Sequence, residues 1–185
     1  MDGRATRAHG RRMAFLRLIL ILCAAALAGP GPGAAQPAGG AAAPPGSAVW
    51  FGLHFIDTST EGAVNGVRED ETRRVEMAET VIAEDLRGRG FTLLEPPADQ
   101  VARIKNPTQS NGSDSRIARE MGAQYAISGE VQKVSNLILT LNLYIRDAES
   151  GGTLRAGVVD IRGNTDESFR RGYRYLLKNI IFREE

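Results

Sequence analysis

Side chains for metal or nucleophilic chemistry are scarce in this sequence of 185 residues. It has one cysteine, Cys23, and two histidines, His9 and His54. Because Cys23 and His9 lie in a segment that we interpret below as an export leader, the body of the chain would keep only His54. One histidine cannot form a His/Cys metal cluster, and no G-x-S-x-G elbow or glycine-rich phosphate loop is present. We therefore expect no catalytic residues, no metal and no cofactor.

Charge of one sign is also lacking in the body of the chain. The formal net charge is +1, but residues 1–35 contribute five arginines and one acid. The remainder keeps 18 of the 23 basic and 21 of the 22 acidic residues, a net charge of −3. A mildly acidic body gives no electrostatic reason to bind nucleic acid, so we exclude that class of partner.

The N-terminus has the pattern of a secretory signal. Several arginines precede the apolar run FLRLILILCAAALAG, and small residues follow it. We predict a signal peptide over residues 1–35, cleaved after Ala28 or Ala35, with translation starting at Met1 or Met13. The apolar run is short for a bilayer, and Arg17 interrupts it. This favours periplasmic export in a Gram-negative bacterium with no stable membrane span after cleavage; an uncleaved N-terminal anchor is the alternative.

Residues 36–47 are rich in proline, glycine and alanine, a composition that predicts a flexible linker. Residues 48–185 then form a single domain. Hydrophobic periodicity and turn residues predict the element order β-α-β-α-α-β-β-β-α. The early crossovers require helices packed on a sheet, and the later hairpins add antiparallel strands. The expected fold is therefore α/β (α+β), with a mixed sheet of about five strands.

The longest ribbon alternates in polarity from Leu137 onward. One side carries Leu137, Leu139, Leu141, Leu143 and Ile145; the other carries Ile138, Thr140, Asn142, Tyr144 and Arg146. Strand side chains alternate between faces, so we predict that the leucine side faces helices and the polar side faces water. Asn142, Tyr144 and Arg146 are therefore candidate partner-binding residues.

A second group of candidates lies at predicted strand ends. Asp57 and Thr58 follow the first strand, and Arg162, Asn164 and Asp166 follow the last. Loops at neighbouring strand ends can line a polar pocket for a small ligand. The alternative explains Asn164 and Asp166 by helix capping and by the favourable charge of a first helical turn.

The stretch RIAREMGAQYAISGEVQKV resembles the helix–Gly–Ala–strand unit of the TolB amino-terminal domain. Similar units occur in envelope lipoproteins of the curli-secretion and penicillin-binding-protein-activator type. The sequence is also similar to a family of exported proteobacterial proteins known as a domain of unknown function. That similarity covers FIDTSTEG, IAREMGAQYAISGEVQKVSNLILTLNLYIRD and DIRGNTDESFRRGYRYLLKN. The resemblance implies a TolB-N-terminal-like fold.

One feature departs from this family. Many of its members carry a Cys-x-x-Cys pair in the loop before the Gly–Ala helix, where this chain has Ser110-Asn111-Gly112-Ser113. Serine cannot form a disulfide and is a poor ligand for soft metals. Any disulfide, redox or metal role of that pair is therefore absent from this chain.

Together these features favour a non-catalytic periplasmic binding or adaptor protein of an envelope system. It would bind an envelope protein through its polar sheet face or an exposed strand edge. The alternative function is a small-ligand-binding or enzymatic domain with a pocket near Asp57, Arg162, Asn164 and Asp166.

Overall fold

A computed structural model describes residues 45–183. The predicted signal peptide, its two cleavage sites and most of the predicted linker lie outside the described residues. The first strand begins at Ser47, one residue before the predicted start of the domain. No helix within residues 45–183 is long and apolar enough to cross a membrane.

Five strands and five α-helices follow one another along the chain. The strands are β1 (Ser47–Asp57), β2 (Thr92–Leu94), β3 (Tyr125–Ser135), β4 (Ile138–Asp147) and β5 (Thr153–Arg162). The helices are α1 (Thr60–Asn65), α2 (Glu69–Gly88), α3 (Ala98–Val101), α4 (Ser113–Glu120) and α5 (Asp166–Leu176). A 3₁₀ turn covers Pro107–Gln109, and a π-helical turn, Leu177–Ile181, extends α5.

The strands form one mixed sheet in the order β2-β1-β3-β4-β5. β1 is parallel to β2 and to β3, and the crossovers that join these strands contain the helices. β3, β4 and β5 are antiparallel neighbours joined by short turns. The predicted fold class is thereby confirmed.

The leucine side of β4 faces the main hydrophobic core, as predicted, except at Leu137. That residue lies in the turn before β4 and is 72% exposed. Leu139, Leu141, Leu143 and Ile145 are all 0% exposed. They pack beneath α2 and α5, whose buried apolar residues lie at helical spacing. These residues are Ala78, Ile82, Leu86, Phe169, Tyr173 and Leu176.

The opposite face of the sheet is covered at one end only. There α3, α4 and the 3₁₀ turn enclose a smaller core that includes Val49, Phe51, Ile117 and Ala126. This coverage contradicts the prediction that the polar side of β4 faces water throughout: Asn142 is only 8% exposed. The remaining part of this face, on β4 and β5, stays accessible.

A β-bulge interrupts β1 at Gly52. The glycine has φ +75°, a left-handed conformation that a residue with a Cβ adopts only with strain. The bulge frees the amide of Leu53, which donates to Glu79 Oε1 of α2 at 2.7 Å. α2 is thereby fixed against the strand.

Two local predictions were wrong. The predicted element order has only one helix between the first two strands, but Thr60–Asn65 also forms a helix, α1, because the Ser59 side chain caps its start. The cap of α5 is Thr165, whose hydroxyl accepts from the Ser168 amide, and Asn164 makes other contacts.

Candidate functional site

Asp57 and Thr58 end β1 beside the end of β3. Asp57 Oδ1 accepts hydrogen bonds from the Ser59 amide at 2.8 Å and from the Ser59 hydroxyl at 2.5 Å. The Thr58 hydroxyl donates to the carbonyl oxygen of Lys133 at 3.0 Å. These contacts hold the turn into α1 against β3.

Lys133 carries a buried positive charge next to this turn. Its side chain is 0% exposed, and Nζ lies 3.1 Å from Asp57 Oδ2 and 2.6 Å from Glu71 Oε1. Glu61 of α1 lies 3.6 Å from the same nitrogen. A buried cation requires such partners, since desolvation without them costs several kcal/mol.

Asn164 joins the end of β5 to the same carboxylate. Its amide nitrogen donates to Glu71 Oε1 at 2.6 Å, and its Oδ1 accepts from Arg74 Nη1 at 2.7 Å. Arg74 in turn donates to Asp166 Oδ1 at 3.1 Å. We call the set Asp57, Glu71, Arg74, Lys133, Asn164 and Asp166 the ionic cluster.

The structure therefore brings four of the five strand-end candidates into one region. Asp57, Asn164 and Asp166 belong to the ionic cluster, and Thr58 adjoins it. Arg162 does not: it is exposed at the end of β5, and its guanidinium forms no hydrogen bond or ion pair with another residue in the described range.

Sequence reasoning missed Lys133, Glu71 and Arg74, which connect the cluster. A signal for each was present. Lys133 continues the alternation of Ile127, Gly129 and Val131 on the core side of β3, so its charge had to find a buried partner. Glu71 and Arg74 are in phase with the buried positions of α2, Ala78, Ile82 and Leu86.

Electrostatics fix the protonation states at the centre of the cluster. Burial opposes ionisation of Asp57, but hydrogen bonds from Ser59 and Lys133 outweigh it, and the pKa of Asp57 lies below its ordinary value. Burial likewise opposes the charge of Lys133, but bonds to Glu71 and Asp57 raise its pKa above the ordinary value. Lys133 is therefore protonated near neutral pH and cannot serve as a nucleophilic amine.

The cluster offers little to a metal ion or a ligand. No group of three or more His, Cys, Asp or Glu side chains among residues 45–183 is arranged to hold a metal. Lys133 Nζ occupies the point on which Asp57, Glu61 and Glu71 converge. Within the ionic cluster, Glu71 Oε2 is buried without a hydrogen-bond partner.

The three candidates on β4 lie elsewhere, on the other face of the sheet. Arg146 pairs with Asp114 of α4 at 2.5 Å and donates to the carbonyl oxygen of Thr108 at 2.6 Å. Its guanidinium also lies 5.1 Å from the ring centre of Tyr144. Arg146 is thus held by α4 and the 3₁₀ turn, Asn142 is buried, and both Tyr144 and Arg146 stay partly accessible.

Ser110, in the loop before α4, has a structural role. Its hydroxyl donates to Asp114 Oδ1 at 2.7 Å. Beside it, Glu130 accepts from the side chains of Asn106, Thr108 and Gln109, at distances of 2.6, 3.0 and 3.2 Å. Hydrogen bonds thus hold this loop on the sheet.

Solved structures resemble this fold at low sequence identity. The C-terminal domain of LpoB from Salmonella enterica is 20% identical, with a TM-score of 0.44, over 69% of this chain and 88% of that one. The PelC dodecamer of Paraburkholderia phytofirmans is 16% identical, with a TM-score of 0.49, over 78% and 94%. Lipoprotein GNA1162 of Neisseria meningitidis is 15% identical, with a TM-score of 0.42, over 64% and 81%.

No curated protein matches the sequence. The family model described as "protein of unknown function (DUF2380)" matches residues 46–181, which is nearly the whole described domain. The resemblance to a family of unknown function is thereby confirmed, and this chain belongs to the family of that model, DUF3280.

Proposed function

We propose that the chain is a non-catalytic adaptor of the cell envelope that binds a partner protein by adding a strand to β5. The observation that carries this proposal is the position of β5, a strand of ten residues at the end of the sheet. Within residues 45–183, no strand pairs with its outer side. Unpaired edges are templates for an incoming extended segment.

The hydrogen-bond pattern identifies the amides that this edge offers. Gly163 N donates to Leu137 O across the β4–β5 pair. Bonded and non-bonded pairs alternate in an antiparallel ladder, so the odd-numbered residues of β5 bond to β4. The amides of Ala156, Val158 and Asp160 therefore point outward, where a partner strand would bond to them.

Side chains beside the edge support binding of a protein. Val158 is 54% exposed and Leu154 is 38% exposed, both on β5. Leu137 and Ile138, at the start of β4, are 72% and 39% exposed. Exposed aliphatic groups next to an unpaired edge favour an interaction surface. This surface replaces the one predicted at Asn142 and Arg146, since Asn142 is buried and Arg146 is held by α4 and the 3₁₀ turn.

The proposed envelope location and the proposed non-catalytic role rest on other observations. The envelope location rests on the export pattern of residues 1–35. The non-catalytic role is supported by the ionic cluster, in which Lys133 Nζ is held by Asp57 and Glu71 and Arg74 by Asn164 and Asp166. The alternative, a ligand pocket near Asp57 and Asn164, stays a prediction that no contact in the cluster favours.

Proline at position 158 tests the proposal because Val158→Pro removes an outward amide and leaves the bonds to β4 intact. Val158→Ile is the matched control, since it keeps the amide and an aliphatic, β-branched side chain. The tagged full chain would be used to capture partners from an envelope extract. We expect one specific protein with wild type and with Val158→Ile, and at least a tenfold loss with Val158→Pro. Equal recovery with all three, or no specific protein, would contradict the proposal.

A further inference from the structure

A basic surface lies beside the free edge of β5. α5 and its π-helical turn run along this strand in the opposite direction. A Cβ on Gly172 would meet Ile161 Cγ2 at 2.6 Å, and a Cβ on Gly157 would meet Ile181 Cδ1 at 3.1 Å. Successive turns of the helix are therefore aligned with every second residue of the edge strand.

The side of the helix that faces the edge is cationic with one aromatic ring. Arg171, Tyr175 and Lys178 recur at helical spacing. Arg171 and Tyr175 line a groove together with Val159 and Ile161 of β5. Tyr175 is 55% exposed. We call Arg171, Arg174, Tyr175 and Lys178 the basic strip.

The cations of the basic strip are almost free of partners in the described part of the chain. Arg171 lies 3.9 Å from Glu167, and both side chains are exposed, 75% and 86%. Arg174 and Lys178 have no carboxylate within ion-pair distance among residues 45–183. The positive charge of the strip is a local feature, because residues 36–185 as a whole carry a net negative charge. An anionic partner would relieve the repulsion among these cations.

From this arrangement we infer that the segment added to β5 is acidic, with two carboxylates four residues apart on the side that faces α5. This inference rests on the proposed function and specifies the partner. Side chains on one side of a strand recur about every 6.8 Å. Four residues of helix rise about 6 Å, the step from Arg171 to Tyr175. An acid, an apolar residue and a second acid at alternate positions would face Arg171, Tyr175 and Lys178.

A polypeptide fits this place better than an anionic membrane does. The outward amides and carbonyls of β5 lie next to the basic strip, and they require hydrogen-bond partners in a regular array. A lipid headgroup neutralises cations but does not supply such an array, whereas a peptide backbone does. Exposed Val158 and Leu154 would contact the other side of the same added strand.

Selection from a library of random 12-residue peptides on the immobilised full chain tests the inference. We expect Asp or Glu four residues apart in peptides selected by wild type, and Lys or Arg four residues apart in those selected by Arg171→Glu/Lys178→Glu. This double variant should bind the peptides selected by wild type about tenfold more weakly, because both charge pairs become repulsive. Arg116→Glu/Arg119→Glu on α4, with the same change in net charge, should leave selection and affinity unchanged. Circular dichroism checks that each variant folds.

Other outcomes separate this inference from the proposed function. If Val158→Pro abolishes peptide binding but the charge reversal changes neither composition nor affinity, strand addition stands and the acidic partner is wrong. If the charge reversal matters but Val158→Pro does not, both are wrong. Binding to phosphatidylglycerol vesicles that the charge reversal abolishes, without selection of acidic peptides, would assign the strip to a membrane and overturn the inference.

Discussion

At the scale of single residues, Lys133 is the side chain on which three segments of the chain converge. Asp57 comes from the end of β1, Glu61 from α1 and Glu71 from the start of α2. Asn164, after β5, bonds to the same Glu71 oxygen. A single buried cation thus links the end of β1 to both helices that follow it and to the loop after β5.

Removal of this cation should strongly destabilise the fold. Lys133→Met leaves Asp57 and Glu71 with an uncompensated buried negative charge, and we expect a loss of about 3–5 kcal/mol in the free energy of unfolding. Lys105→Met, at an exposed lysine, is the control and should change stability by less than about 0.5 kcal/mol. Urea titration measures both. A loss below about 1 kcal/mol for Lys133→Met would show that the ion pairs contribute little.

Stability should also fall in acid because of Asp57. Its pKa is lower in the folded state than in the unfolded chain, so the unfolded state binds the proton more tightly. The stabilisation is present above the unfolded pKa, about 3.9, and is lost as pH falls through the folded pKa. Urea midpoints between pH 6 and pH 2 measure this loss. Asp57→Asn should reduce the dependence; an unchanged slope would contradict the assignment.

At the scale of elements, β4 separates two environments. Leu141 is 0% exposed in the main core, whereas Thr140 lies on the opposite face and donates to Asp160 at 2.8 Å. Leu141→Ala should cost about 2–5 kcal/mol. Thr140→Ala should cost about 1 kcal/mol or less, since one accessible hydrogen bond is lost. Equal losses in denaturant titration would mean that the two faces are assigned incorrectly.

α5 approaches the sheet closely at Gly172. An added Cβ would lie 2.6 Å from Ile161 Cγ2 and 2.7 Å from Leu141 Cδ1, so Gly172→Ala should destabilise the protein by about 1 kcal/mol or more despite alanine's higher helix propensity. Gly88→Ala is the matched control, because nothing lies within 4 Å of its added Cβ. That change should stabilise by about 0.4–1 kcal/mol. Thermal unfolding that shifts both variants in the same direction would contradict the close packing.

At the scale of the whole molecule, local patterns predicted the elements and the core well. Alternation along β4 identified its buried side, and helical spacing identified α2 and α5. The patterns did not show what covers the other side of the sheet. Partial burial of Arg146 depends on its pair with Asp114, a contact between residues far apart in sequence. The same holds for Lys133 and Glu71, whose pairing requires the completed fold.

The central claim is that a partner protein binds as an added strand on β5. Amide hydrogen exchange of the chain alone and of the chain with its captured partner tests this claim most directly. We predict that Ala156, Val158 and Asp160 exchange rapidly in the free chain and become protected in the complex, while β1 and β3 change little. Protection confined to α2, or to the region around Asp57 and Asn164, with β5 unchanged, would contradict the account.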